Sequence, residues 1–201
     1  MGLSMKQHVV DSLDVDPIDV ANFDFTGTAL ELVDEFIFQP RLAAVNAEFQ
    51  DQPLVRAQLL QTMGNSLCNL ALIDQSVEVM EQAIELRAEH LGPDDRLTLK
   101  SMATLGWALA SRGLLEEATP ICLDCYERSR RVLGDEDAVT LLAMRNVVGI
   151  HLFKGQFENA RDLAIPCLEL SRRALGEDDP FTLTTLTAIM VVHLRLGLYE
   201  E

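Results

Sequence analysis

Leu60, Met102, Met144 and Leu186 are apolar at a step of 42 residues, and Met63, Leu105, Val147 and Ile189 repeat the pattern three positions later. On a 3.6-residue period the two columns share one stripe, so each copy predicts an amphipathic helix with that stripe turned to a core. Other columns of the same helices change character at every step: Gln58, Lys100, Leu142, Thr184; Gln61, Ala103, Arg145, Thr187; Asn65, Trp107, Gly149, Val191; Asn69, Ser111, Phe153, Arg195. A face held by packing does not vary in that way, so these columns predict an open surface.

The punctuation has the same step. Gly113, Gly155 and Gly197 fall 42 apart, as do Gly92, Gly134 and Gly176. Glycine after an apolar-periodic stretch is the usual left-handed stop of a helix. Asp95, Asp137 and Asp179 stand just before the first helix of successive copies, where a carboxylate can accept from free amide donors, and Pro180 follows at a first helical position. Each unit is therefore a helical hairpin of roughly 17 and 19 residues, about 25 Å long. A period of this size means an array of stacked units that presents a long surface to another molecule. The array is expected to run over residues 53–201 as three full repeats and one half repeat. Residues 26–52 read as a helical lead-in, starting near Thr26 or Thr28, broken at Pro40 and resuming to about Gln50. Residues 1–25, with Asp11, Asp14, Asp16, Asp19 and Asp24 around Pro17, lack helical periodicity and are expected to be poorly ordered.

Charge narrows the partners. The chain of 201 residues has a net charge of −16, half of it carried by residues 1–53. A basic surface for nucleic-acid phosphates is missing. The longest strongly apolar run, Thr187 to Leu198, contains His193 and Arg195 and falls short of the ~20 residues of a membrane span. No secretion signal is legible at the N-terminus. A cytoplasmic protein is expected, without membrane contact, with four cysteines as free thiols.

Leu105-Gly106-Trp107-Ala108-Leu109, Gly113, Glu117-Ala118 and the recurring Leu-Gly-x-Asp-Asp-x-x-Thr-Leu connector resemble the tetratricopeptide repeat, in the 42-residue form typical of kinesin light chains. The resemblance covers residues 53–201. Arrays of similar type, after a lead-in resembling Glu48 to Val55, follow the kinase domain of many bacterial serine/threonine protein kinases. The resemblance implies an all-α, right-handed superhelical solenoid of antiparallel helix pairs, whose first helices line a concave groove for an extended peptide or partner segment. Carried onto this chain, the groove columns are the variable ones. Kinesin light chains repeat asparagines along the groove, and here Asn65, Asn69 and Asn146 suggest that pattern.

Asn65, Asn69, Lys100, Trp107, Arg145 and Asn146 are the expected groove contacts. Lys100, Arg145 and Arg195 set positive charge on the inner face of an acidic protein, which favours an acidic or carboxylate-bearing ligand. Trp107 reads equally as an interface anchor or as a half-buried scaffold residue. Cys122-x-x-Cys125 lies within one helix, with no second pair, and reads as helix packing rather than zinc or redox chemistry. His151 and His193 share a column with Leu67 and Leu109 and read as core-edge residues. The acidic connectors Asp94-Asp95, Asp135-Glu136-Asp137 and Glu177-Asp178-Asp179 read first as caps and solvated charge, then as a dock for a basic partner. No catalytic constellation, metal site or cofactor is expected.

Glu201 aligns with Glu117, so the fourth unit has its first helix without its second. Leu186, Ile189, Met190 and Val192 are then expected to lack cover. Two readings follow: a fragment of a longer array, or a homodimer that closes the open end. The expected function is a noncatalytic protein-interaction scaffold. The alternative is a regulatory or oligomerising portion of a signalling protein such as a serine/threonine kinase, working through that last helix.

Overall fold

The structure is a computed structural model that describes residues 25–197 and separates at Ala43/Ala44 into two units. The acidic segment before Phe25, expected to be poorly ordered, lies outside the described residues, as do residues 198–201. All regular structure among the described residues is helical.

Helix α1, Phe25–Val33, passes into a π-helical turn, Asp34–Phe38, and on into α2, Gln39–Glu48. The break expected at Pro40 does not occur. The N–H of Gln39 donates to the Asp34 carbonyl five residues back. A π turn widens the backbone by one residue immediately before the proline that brings no donor, and the helix continues.

From Ala44 onward the chain is a stack of helix pairs: α3 (Pro53–Asn69) with α4 (Ile73–Leu91), α5 (Arg96–Ser111) with α6 (Leu115–Leu133), α7 (Ala138–Phe153) with α8 (Phe157–Leu175), and then α9 (Pro180–Leu196). The local signals act as expected. Asp95, Asp137 and Asp179 each accept from the amide two residues on, Leu97 at 2.8 Å, Val139 at 2.7 Å and Phe181 at 2.8 Å. The second helices stop at Gly92, Gly134 and Gly176, all at positive φ. One period before Gly113 the chain holds Ala71 instead of glycine, and it too is left-handed, at φ 65°.

Each helix packs on its neighbours in sequence, and in addition α3 touches α5, α5 touches α7 and α7 touches α9. The first helices therefore lie side by side and form one face. Leu60, Leu105, Met144, Val147 and Ile189 are buried, as their columns require, whereas Met63 and Met102 are half-buried and Leu186 is exposed. The core runs along the stack through Met80, Leu109, Cys122 and Ile150, then Leu99, Cys125 and Val139, then Val148, Leu168 and Val192. No described helix is long and apolar enough to cross a membrane.

Candidate functional site

The face made by the first helices carries most of the variable positions, although Gln61, Ala103 and Gly149 are buried, and its polar groups cluster at the α3–α5 junction. Gln58, Gln61, Asn65, Arg87, Leu97, Lys100, Ser101 and Thr104 line an open recess of about 180 Å³. Asn65 and Lys100, expected as contacts, are exposed on it. Arg87 was not expected there. It belongs to the second helix α4, in a column whose other members are Ser129 and Ser171, and it reaches across to the face. Its Nη1 donates to Gln61 Oε1 at 3.1 Å and to Ser101 Oγ, and its Nη2 donates to Gln58 Oε1 at 2.9 Å. Burial pushes its pKa down from the usual guanidinium value.

Trp107 and Arg145 occupy the next stretch of the face. A Cβ on Gly149 would meet Trp107 Cζ3 at 2.8 Å, so the indole rests on the α7 backbone because residue 149 has no side chain. Phe153 flanks it, with ring centroids 6.2 Å apart and planes at 33°. The indole is still 43% exposed; it is both braced by the scaffold and open to a partner. Arg145 lies over the Phe181 ring, 4.3 Å from its centroid, and donates to Thr184 Oγ1 at 2.8 Å. Burial lowers its pKa as well. A guanidinium stacked on an aromatic face is held in place without a carboxylate.

Asn146 requires a correction. It is buried, and its Nδ2 donates to the Ala103 carbonyl at 2.7 Å, tying α7 to α5. Its position turns it under the face rather than onto it. Asn69, at the end of α3, is exposed and is not among the residues that line the recess. Arg195 is exposed on α9.

The expected interface on α9 also divides. Ile189 and Val192 are buried with Val148, Ala160, Ala164 and Leu168, because that side of the helix closes onto the preceding pair. The open stripe is Leu183, Leu186, Met190 and Leu194, between 36% and 65% exposed. These recur at three to four residues and share one side of α9.

The remaining candidates resolve structurally. Cys122 and Cys125 are buried, and burial pushes their thiols up to about 11 and about 12. His151 Nδ1 lies 2.7 Å from Gln156 Oε1 in the turn that follows α7. No group of three or more potential metal ligands exists among the described residues. The acidic connectors are threaded with arginines: Asp94 with Arg128 and Arg131, Asp135 with Arg130, Glu136 with Arg173, and Asp137 with Arg96. The Arg128 hydrogen bond, followed by its charge and that of Arg131, holds the Asp94 carboxyl below the usual range.

A family model described as "Tetratricopeptide repeat" matches residues 56–96, 98–138 and 140–181. Among solved structures, the chain is similar to a single-residue variant of nearly identical TPR-like repeats from a putative kinesin light chain of Podospora anserina, with 17% identity, a TM-score of 0.62, and coverage of 86% of this chain and 79% of that one. It is similar to BtubC (BKLC) from P. vanneervenii at 15% identity and a TM-score of 0.60, covering 96% of this chain and 80% of the other. At such identities the likeness establishes the fold, an all-α solenoid of helix pairs. No curated protein matches by sequence.

Proposed function

The chain belongs to the tetratricopeptide repeat family, a family of protein–protein interaction scaffolds, and on that premise we propose that it is a noncatalytic cytoplasmic adaptor whose first helices hold a peptide or partner segment. One observation carries this reading. In a protein of net charge −16, Arg87, Lys100 and Arg145 sit on that face with no carboxylate within 4.0 Å among the described residues. Beside the connectors, Arg96, Arg128, Arg130, Arg131 and Arg173 are paired with carboxylates. Unneutralised positive charge on a face of first helices attracts acidic segments. Trp107 and Phe153 beside it supply apolar area of the sort that anchors an interface.

The test is affinity capture from source-cell extract by the wild-type chain and by Lys100→Glu/Arg145→Glu, followed by identification of the retained proteins. A partner kept by the wild type and lost by the folded double variant supports the reading. Equal retention by both sinks it.

The open stripe of α9 supports a second reading, that this helix serves oligomerisation or regulation. Leu183, Leu186, Met190 and Leu194 expose a continuous apolar strip, and a second copy offers the same strip by two-fold symmetry. Sedimentation of the wild type against Met190→Glu/Leu194→Glu decides it: a dimer that dissociates in the variant supports pairing, and a wild-type monomer at high concentration rejects it.

A further inference from the structure

We propose that the open strip of α9 is the seat of a helix from a second copy of this chain, and that this helix is the lead-in, α1 through α2, so that copies join head to tail. The inference rests on the second reading above, that α9 serves association, and names what covers it.

The columns of the strip show what kind of element fits it. Leu183, Leu186 and Met190 lie one period after Leu141, Met144 and Val148, which are all buried. Val148 packs with Ala160, Ala164 and Leu168 of the second helix α8, and the Leu141 carbonyl accepts from Cys167 Sγ of the same helix at 3.9 Å. One period earlier, Leu99 is fully buried with Cys125 of α6. The side that α5 and α7 give to a second helix is therefore the side that α9 turns outward. Leu183, Met190 and Leu194 on it are at least half exposed.

The lead-in is a helix without such a seat. It runs from Phe25 to Glu48 through the π turn, about 36 Å at 1.5 Å per residue, long enough to span α9. None of its described side chains is buried. Leu32 and Phe36, one turn apart, and Ile37 beside them are about half exposed or more. Its place in the chain is that of a second helix. Four residues separate Leu91 from Arg96, Leu133 from Ala138 and Leu175 from Pro180, and four separate Glu48 from Pro53. The small residues Ser76, Ala118 and Ala160 of the second helices correspond to Asp34, so the lead-in rests on the strip by its apolar side and does not nest against a backbone.

Charge favours the same arrangement. Second helices run antiparallel to the first, which sets the N-terminal half of the lead-in at the C-terminal end of α9. That half carries Asp34 and Glu35, whereas α9 has no acidic residue and holds His193 and Arg195 in its last turn. Opposite charges then meet at the edge of an apolar contact.

One chain cannot fill its own seat. Antiparallel packing puts Glu48 beside Pro180, yet the link from Glu48 to Pro53 reaches at most about 17 Å. Three steps between neighbouring first helices separate α3 from α9, about 24–30 Å at 8–10 Å each. The contact is therefore heterologous, closing into a ring or propagating as a chain. Pairing of two α9 strips leaves Leu32, Phe36 and Ile37 open, whereas the head-to-tail contact covers both patches.

Sedimentation of the full chain with two variants tests this. Phe36→Ser/Ile37→Ser spoils the lead-in and keeps the seat; Met190→Glu/Leu194→Glu spoils the seat and keeps the lead-in. All four residues are exposed, and circular dichroism with the thermal midpoint verifies that both variants fold. The wild type is expected to self-associate, and each variant alone to do so at least about tenfold more weakly. An equimolar mixture of the two should form a one-to-one dimer and stop there, because one variant supplies the seat and the other the helix. A mixture that stays monomeric overturns the proposal. If the lead-in variant associates as the wild type does, α9 strips pair with each other: the association reading stands and the head-to-tail contact falls. A wild type that is monomeric at high concentration sinks both.

Discussion

Replacing Gly149 by alanine puts a Cβ 2.8 Å from Trp107 Cζ3, about 0.6 Å inside the 3.4 Å at which ordinary contact begins. The indole has somewhere to go. It is 43% exposed, so it can swing outward instead of forcing α5 and α7 apart, which would cost about 1–3 kcal/mol. By leaving, it gives up its contact with Phe153, about 0.5–1.5 kcal/mol for an aromatic pair. Alanine in a helix interior returns about 1 kcal/mol over glycine. The two nearly cancel, and the thermal midpoint should stay within about 4 °C of the wild type. The ring itself should report the change. Trp107 is the sole tryptophan of the chain, so intrinsic fluorescence reads it without interference: emission moves to the red and acrylamide quenching rises. Gly155→Ala is the contrast, since φ there is +70° and nothing lies within 4 Å of the new Cβ. It should lower stability by about 1 kcal/mol through backbone strain alone, with fluorescence unaltered. Unchanged quenching in a folded Gly149→Ala chain would refute the account, as would a stability loss above about 3 kcal/mol.

Other substitutions follow from local geometry. Ala71→Gly relieves the left-handed alanine and should raise stability by about 0.5 kcal/mol, the strain of ~1 kcal/mol less the added freedom of the unfolded chain; a lowered urea midpoint contradicts this. Asp137→Ala removes both the cap on Val139 and the Arg96 pair, whereas Asp179→Ala removes only the cap on Phe181. Both should lose about 1 kcal/mol, because a solvated ion pair adds little to a cap, and a loss at residue 137 twice that at 179 would show that the pair matters. The thiols of Cys122, Cys125 and Cys167, pushed up to about 11, about 12 and about 11 by burial, should be inert to a disulfide reagent at pH 8 in the native chain and react on denaturation; fast native reaction contradicts their burial.

The sequence legibly determined what depends on near neighbours. Asp95, Asp137 and Asp179 cap because a carboxylate reaches an amide two residues on, and Gly92, Gly134 and Gly176 stop helices because a single φ decides it. The 42-residue step of these signals was enough to give hairpins, their stacking and the family resemblance. Pro40 shows the limit even locally: whether a proline ends a helix depends on the backbone just before it, and a π turn there leaves nothing to break.

What only the tertiary structure decided concerns which side of a helix is covered, and by what. Ile189 and Met190 are adjacent and both apolar, yet the first closes on α8 and the second faces outward. Periodicity names a stripe without saying which stripe meets a neighbour. Asn146 looked like a groove residue by its type, but a carbonyl 43 residues away in sequence claims its amide. Arg87 sits in a column that is otherwise buried serine, and its guanidinium is held at the recess because Gln58, Gln61 and Ser101 converge on it from two other helices. Backbone conformation is set within a few residues and can be read from them. Burial and hydrogen-bond partnership are set by residues distant in the chain, so a polar side chain acquires its role only when the helices are stacked.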